Sequence, residues 1–514
     1  MNITTGLATR ILLGGIALGV AADYLLWSAI AVNERIPGPG LAVWITLLAA
    51  VSLLLNRHAQ LRWRLTVAGW SSVALAATLI IIFRGSPVLV PLMLLVLLIS
   101  LAMLTLQAVR PSLLDIRIAD CLRIPFRVIS RLALGAGQLL CKIEFQNHML
   151  SPRLRGIGRG LLIALPLILV FIALFSSADA TFERYAPQLG DLFSLATPRH
   201  LVVIAFFGWL ATGLLSSAMQ QLSVPLPPAF HARFTLGAEE VVVIMGSMAI
   251  LFLIFVLLQA SYLFGGREAI EMTTGLTLAG YARRGFFELV VVSGLTLAML
   301  LSMAGIRCDQ RLFRPLATVL VLCVLVILAS AAQRLSLYTD AFGLTMARLT
   351  ALAFMVWLGF NLISFAVTVL RGRIRGFASS MVLSGVATLL LLGLINPAAV
   401  VARVNIDRAI IGGSTIDMNY LTELGADAAP ILITHFDALP ANEQCRMARQ
   451  LISLWAGGRQ QDWRSWNAAH TAAREAFDAK SEQLRLLVNN VYEKNRLLQF
   501  SGRLRGSSFG EAHC

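Results

Sequence analysis

Gln259 to Leu289, QASYLFGGREAIEMTTGLTLAGYARRGFFEL, closes one apolar run, crosses a glycine-punctuated stretch of mixed charge and opens the next apolar run. Both flanking runs are long enough to be membrane helices. A hydrocarbon core about 30 Å thick takes roughly 20 apolar residues wound as helix, because every main-chain N–H and C=O must be paired within the segment. The stretch therefore lies at one membrane surface, with Arg283, Arg284 and Glu288 bordering the bilayer.

Working outward, eleven runs meet that length requirement: 11–32, 39–55, 65–83, 87–109, 160–177, 200–219, 241–264, 285–306, 315–332, 349–370 and 377–395. The expected fold is all-α, a polytopic membrane domain over 1–395 followed by a small helical domain over 396–514. Composition agrees, since the 514 residues are 58% hydrophobic and only 13% charged, with a mean hydropathy of +0.78. Soluble domains are about one quarter charged. The first run follows Arg10 and carries no small-residue cleavage site, so it reads as a retained helix.

A net charge of +15 on a soluble chain would suggest nucleic acid, but here the arginines fall in short loops between apolar runs. That is the pattern of membrane orientation, and no nucleic-acid partner is expected. With the N-terminus inside, the inner loops hold 20 basic residues and the outer loops 9. Eleven spans then put the C-terminal segment outside, in the extracytoplasmic space of a bacterial inner membrane. Only Lys142, Lys480 and Lys494 among the 42 basic residues are lysines, so arginine is the default cation and no single arginine is marked by its type.

The inner loop 110–159 holds the densest positive patch. Arg123, Arg127 and Arg131 recur every four residues among apolar ones, as in a helix lying among anionic lipid headgroups, each basic residue contributing about 1 kcal/mol. In the C-terminal segment, Asp417 is placed to cap a helix stopped by Gly425, Pro440 to open a second and Asp462 to cap a third, with a fourth from about Ser481 to Phe500. Trp455, Trp463 and Trp466 are expected to pack its core. Cys445 and Cys514 would share an oxidising compartment, where they either pair or remain thiols.

Ionisable groups inside spans are costly, which singles out Asp23 and Glu288. Asp23 could relay protons, bind a cation or pair with an arginine of a neighbouring helix. Glu288 follows Arg284 by four residues, so the two share a helix face as a structural pair or as part of an outer vestibule. A second cluster, Arg334, Tyr338, Asp340 and Arg348, connects the ninth and tenth spans in QRLSLYTDAFGLTMAR. Together with Arg283 it could form one polar pocket, or its arginines and tyrosine could simply snorkel to the headgroups. No CxxC pair, cysteine–histidine spacing, GxSxG, HExxH or P-loop occurs, so neither a metal, a cofactor nor a catalytic residue is indicated, and an enzyme is the weakest class.

Several blocks in order carry a family likeness: SSADATFERY (176–185), YLFGG (262–266), GLTLAGYARRGFFEL (275–289), LYTDAFGLTMAR (337–348), NPAAVVARVN (396–405) and IDMNYLTEL (416–424). They resemble a bacterial integral membrane family catalogued as domain of unknown function 4173, related to 4153. The resemblance implies a shared pattern in the outer loops and no activity. Two functions follow as expectations: an envelope component binding a partner through its outer loops and tail, or a transporter or channel using the polar residues above.

Overall fold

The computed structural model describes residues 5–33, 36–55, 61–107, 132, 135–137, 139, 196–219, 237–263, 286–305, 309–372, 376–412, 416–457 and 462–500. Every regular element among them is helical. The apolar part comprises α1 (Thr5–Ala22), continued by a π-helical turn (Asp23–Trp27) into α2 (Ser28–Asn33), then α3 (Gly38–Leu55), α4 (Leu61–Phe83), α5 (Leu89–Gln107) and α6 (Ala196–Met219). After these come α7 (Ala238–Leu263), α8 (Phe286–Gly305), α9 (Gln310–Phe342), α10 (Met346–Thr368) and α11 (Phe377–Ile395). Among the described residues, eight helices are long and apolar enough to cross a membrane, and shorter apolar stretches lie at Leu89–Leu104 and His200–Ser216. The protein is an all-α polytopic membrane protein. Of the eleven expected runs, 160–177 lies outside the described residues, as do Arg123, Arg127 and Arg131 of the basic loop.

Three apolar cores hold this part together. The first joins α1, α3 and α6, the second α4, α5 and α11, and the third α7 to α10. The α1–α6 seam is built from small residues. Gly15 lies against Thr212 and Gly208, and Gly19 lies against Ile204 and Gly208, so the two helices run antiparallel with their backbones in near contact. A Cβ on Gly19 would fall 2.4 Å from the Ile204 carbonyl oxygen. Such glycine pairs at spacing four let membrane helices approach closely.

The cluster expected to link the ninth and tenth spans is not a loop. α9 is capped by Asp309, whose carboxylate accepts the Arg311 N–H at 3.0 Å, and it continues for 33 residues to Phe342. At 1.5 Å per residue this is about 50 Å, well beyond the hydrocarbon thickness. Arg334, Tyr338 and Asp340 therefore ride on the helix, and only residues 343–345 turn the chain into α10. Loss of hydropathy marks where a helix leaves lipid, while Gly343 at φ +82° marks where it ends.

Beyond α11 lie α12 (Pro397–Gly412), α13 (Met418–Glu423), α14 (Ala429–Thr434), α15 (Ala441–Trp455) and α16 (Ala468–Phe500). Their core gathers Val401, Ile406, Leu421, Phe436, Met447 and Phe477 together with Met346 of α10. Asp417 caps α13 by accepting the Tyr420 N–H at 3.0 Å, and Gly425 takes φ +87°. Two expectations are corrected here. Asp462 caps only a 3-10 turn (Trp463–Ser465), and α16 begins at Ala468, not Ser481, because Asn467 accepts the His470 N–H at 3.1 Å as its cap. Trp455 packs against His470, but Trp463 and Trp466 are 54% and 38% exposed, so these two do not form core.

This C-terminal segment is docked on one end of the helical bundle by polar groups. Asn467 Nδ2 donates to the Ile81 and Arg84 carbonyls at 2.8 and 2.9 Å, meeting the orphan carbonyls at the end of α4. Asp427 accepts the Gly85 N–H at 2.7 Å. Arg84 in turn donates to Gly393 O and Leu394 O at 3.2 and 3.0 Å, closing the end of α11. At the π turn, Arg464 donates to Tyr24 O and to Ser28 Oγ, and its guanidinium stands 4.7 Å from the Tyr24 ring centre. The docked segment therefore shares a face with the 84–88 connection and with residues 343–345.

Candidate functional site

A polar cavity lies where the α9–α10 turn meets α12 and α13. It begins with the turn itself. The Gly343 N–H reaches Thr339 O at 2.8 Å, and Thr345 caps α10 by accepting the Arg348 N–H at 3.3 Å. Between them Leu344 has both main-chain groups unmatched by either helix. Asn405 of α12 supplies the match: its Oδ1 accepts Leu344 N–H at 3.0 Å and its Nδ2 donates to Leu344 O at 2.7 Å. A Cβ on residue 343 would lie 2.2 Å from Asn405 Oδ1, so the pairing needs glycine there.

Two further residues tie the turn to the docked segment. One helical turn beyond Asn405, Arg408 donates to Ala341 O at 3.0 Å. From α13, the Tyr420 hydroxyl accepts the Met346 N–H at 2.7 Å. The result is a cleft of about 660 Å³, and Phe342, Arg348, Arg408, Asp417, Tyr420 and Arg446 are among its walls. Arg348 is held from two sides. Its Nη1 donates to Gly343 O, and its guanidinium carbon sits 4.0 Å from the centre of the Tyr338 ring, a cation–π arrangement. Burial pushes the Tyr420 pKa up, offset in part by the Met346 N–H and by Arg348 and reinforced by Asp417. The phenol therefore remains protonated at neutral pH and can donate a hydrogen bond.

The residues singled out in the sequence are not brought to one place. Tyr338 meets Arg348, which lines the cleft. Asp340 is exposed on α9, Arg334 is buried on the same helix, and Glu288 is exposed on the first turn of α8. Arg283 and Arg284 lie outside the described residues, so the Arg284–Glu288 pair does too. Asp23 meets a histidine in place of an arginine, since both its oxygens stand 2.8 Å from His200 Nδ1. The reason is register: Gly15 and Gly19 of α1 and Asp23, the first residue of the π turn, follow at spacing four, as do Thr212, Gly208, Ile204 and His200 along α6 in the opposite sense. Cys445 is disulfide-bonded, whereas Cys514 lies outside the described residues.

Asn405, Arg408, Tyr420 and Arg446 were not candidates from the sequence. A signal was available, because three of the blocks quoted for the family likeness, LYTDAFGLTMAR, NPAAVVARVN and IDMNYLTEL, are the segments that close the cleft. They read locally as a polar connection, a helix and a helix cap. Residues 25–435 match the family DUF4153, described as a domain of unknown function; this is the group named above as the relative, and 4173 is not the match. No curated protein and no solved structure matches the chain.

Proposed function

Since the chain belongs to the DUF4153 family, a classification that brings no activity with it, we propose from its geometry that the protein is a multi-pass component of a bacterial inner membrane that works by binding. The cleft between the α9–α10 turn and the docked C-terminal segment is the binding site. The observation that carries this reading is the convergence of three segments far apart in sequence, 341–348, 405–408 and 416–421, on one polar cavity at the end of the bundle. In this reading the N-terminus is cytoplasmic, the cleft and the segment from 396 onward are extracytoplasmic, and the basic loop 110–159 meets anionic headgroups inside. The excess of basic residues in alternate loops supports that orientation. So does the disulfide state of Cys445, which suits an oxidising compartment.

The reading is tested in living cells with a photo-crosslinking amino acid at Asn419, an exposed residue of the cleft wall, and at Arg449, exposed on α15 outside the cleft. Illumination should give a defined adduct from 419 and none from 449. An adduct formed equally from 419 and 449 would sink it, as would the absence of an adduct together with the absence of any bound small ligand. A transport function is the second reading, favoured by one observation, the Asp23–His200 pair inside a candidate span. Replacing Asp23 with Asn would abolish a solute flux that depends on it, and would leave crosslinking at 419 unchanged.

A further inference from the structure

The binding reading leaves the ligand's chemistry open, and the charge of the cleft narrows it. Arg348, Arg408 and Arg446 line it against the single carboxylate of Asp417. That carboxylate is already engaged with the Tyr420 N–H as the cap of α13. Arg446 has Glu443 at 3.7 Å, but with its side chain 52% exposed the pair is a weak solvent-screened one. Arg348 and Arg408 are each fixed by a main-chain carbonyl, so their guanidinium groups are oriented before any ligand arrives. The Arg348 guanidinium carries five N–H donors, more than one carbonyl consumes, and its fork matches the oxygens of a phosphate. The Tyr420 oxygen accepts from Met346, which leaves its own O–H as a further donor. The rim has a different character. Phe342, in the cleft wall, is 57% exposed, and Leu344 and Ile416 line the cleft beside it. A basic cavity with apolar residues at its mouth, placed at the end of a membrane bundle, suits a charged headgroup with an acyl chain beside it.

Resting on the binding reading above, we propose that the cleft takes a phosphate group through Arg348, Arg408, Arg446 and Tyr420. The phosphate arrives as the headgroup of an anionic phospholipid or as a free phosphate, and the two sources are separable. Full-length protein is placed in nanodiscs of phosphatidylcholine alone or with phosphatidic acid, and bound lipid is counted by native mass spectrometry after release into neutral detergent. Inorganic phosphate is titrated separately against the thermal midpoint. Retention of phosphatidic acid without a response to inorganic phosphate identifies the lipid source, and a response to both identifies the phosphate itself. Arg446→Gln, a change at an exposed side chain that the fold tolerates, should weaken the response about tenfold, the effect of one charged hydrogen bond. Arg449→Gln, on the same helix and away from the cleft, should leave it as in the wild type. Equal retention of phosphatidylcholine and phosphatidic acid, or the same binding in Arg446→Gln and Arg408→Gln as in wild type, overturns the proposal. If the adduct at 419 forms in cells while neither phosphate source binds, the ligand class is wrong and the binding reading survives. If no adduct forms and neither phosphate source binds, the binding reading itself has failed.

Discussion

Asp427 places an acid in the joint between the docked segment and the bundle. It is 6% exposed, and burial pushes its pKa up, against the pull of the Gly85 and Ser86 N–H groups and the Arg84 charge. Its folded pKa therefore lies above its unfolded value, and folding takes up a proton. The cost of ionising it is absent below the ordinary carboxylate range, near pH 4, and grows as pH rises through the raised folded value. Asp427→Asn retains an oxygen for the Gly85 N–H and cannot ionise, so its thermal midpoint should lose this component of pH dependence. Asp427→Ala leaves that N–H unmet, at a cost of about 1–3 kcal/mol. Melting curves between about pH 4 and pH 7 check both, and an Asn variant with the wild-type pH profile refutes the assignment. Little of this was legible in the sequence. Asp427 stands in GADAAP with no periodic signal, and the acceptor it provides answers a residue 342 positions earlier. Asp417, by contrast, was read correctly as a cap, because a cap is a relation between residues two or three apart.

At the scale of helices, length and apolar content were readable and contacts were not. Ten of the eleven apolar runs coincide with described helices, and the eleventh, 160–177, lies outside the described residues. The ends were harder: α9 outruns its apolar stretch by ten residues, to Phe342, and α16 starts thirteen residues before Ser481. Helix ends depend on capping residues and turns, and amphipathic segments outside lipid obey no fixed length. The GxxxG of Gly15 and Gly19 was a visible cue to close packing, but it names no partner helix. Its role can be measured. Gly19→Ala puts a methyl group against the Ile204 carbonyl, a rigid main-chain atom, and should destabilise the protein by about 1–3 kcal/mol through overpacking. Gly69→Ala on α4 meets nothing within 4 Å and should be neutral or slightly stabilising, because alanine is the better helix former. Equal thermal midpoints for the two variants would show that the α1–α6 seam carries no such constraint.

For the whole molecule, the exposed face of α15 offers a direct topological test. Cysteine introduced at Arg449 should react with a membrane-impermeant thiol reagent, above the wild-type background, once the outer membrane alone has been made permeable. Reaction only after lysis would place the cleft in the cytoplasm. The distribution of arginines carries an expectation of which loops share a side. It did not foretell that the last quarter of the chain folds back onto the first, because nothing in a string of residues marks contacts made across its full length. Arg464 and Tyr24 are separated by 440 positions. At roughly 5 to 20 residues per second, a ribosome makes them about 20 to 90 s apart. Throughout that interval the Tyr24 carbonyl has Ser28 but not its guanidinium, so the turn at Asp23–Trp27 is among the last parts of the fold to be completed. A truncation anywhere between Tyr24 and Arg464 would leave that turn permanently unfinished, so that damage far down the chain is felt at a segment made long before it.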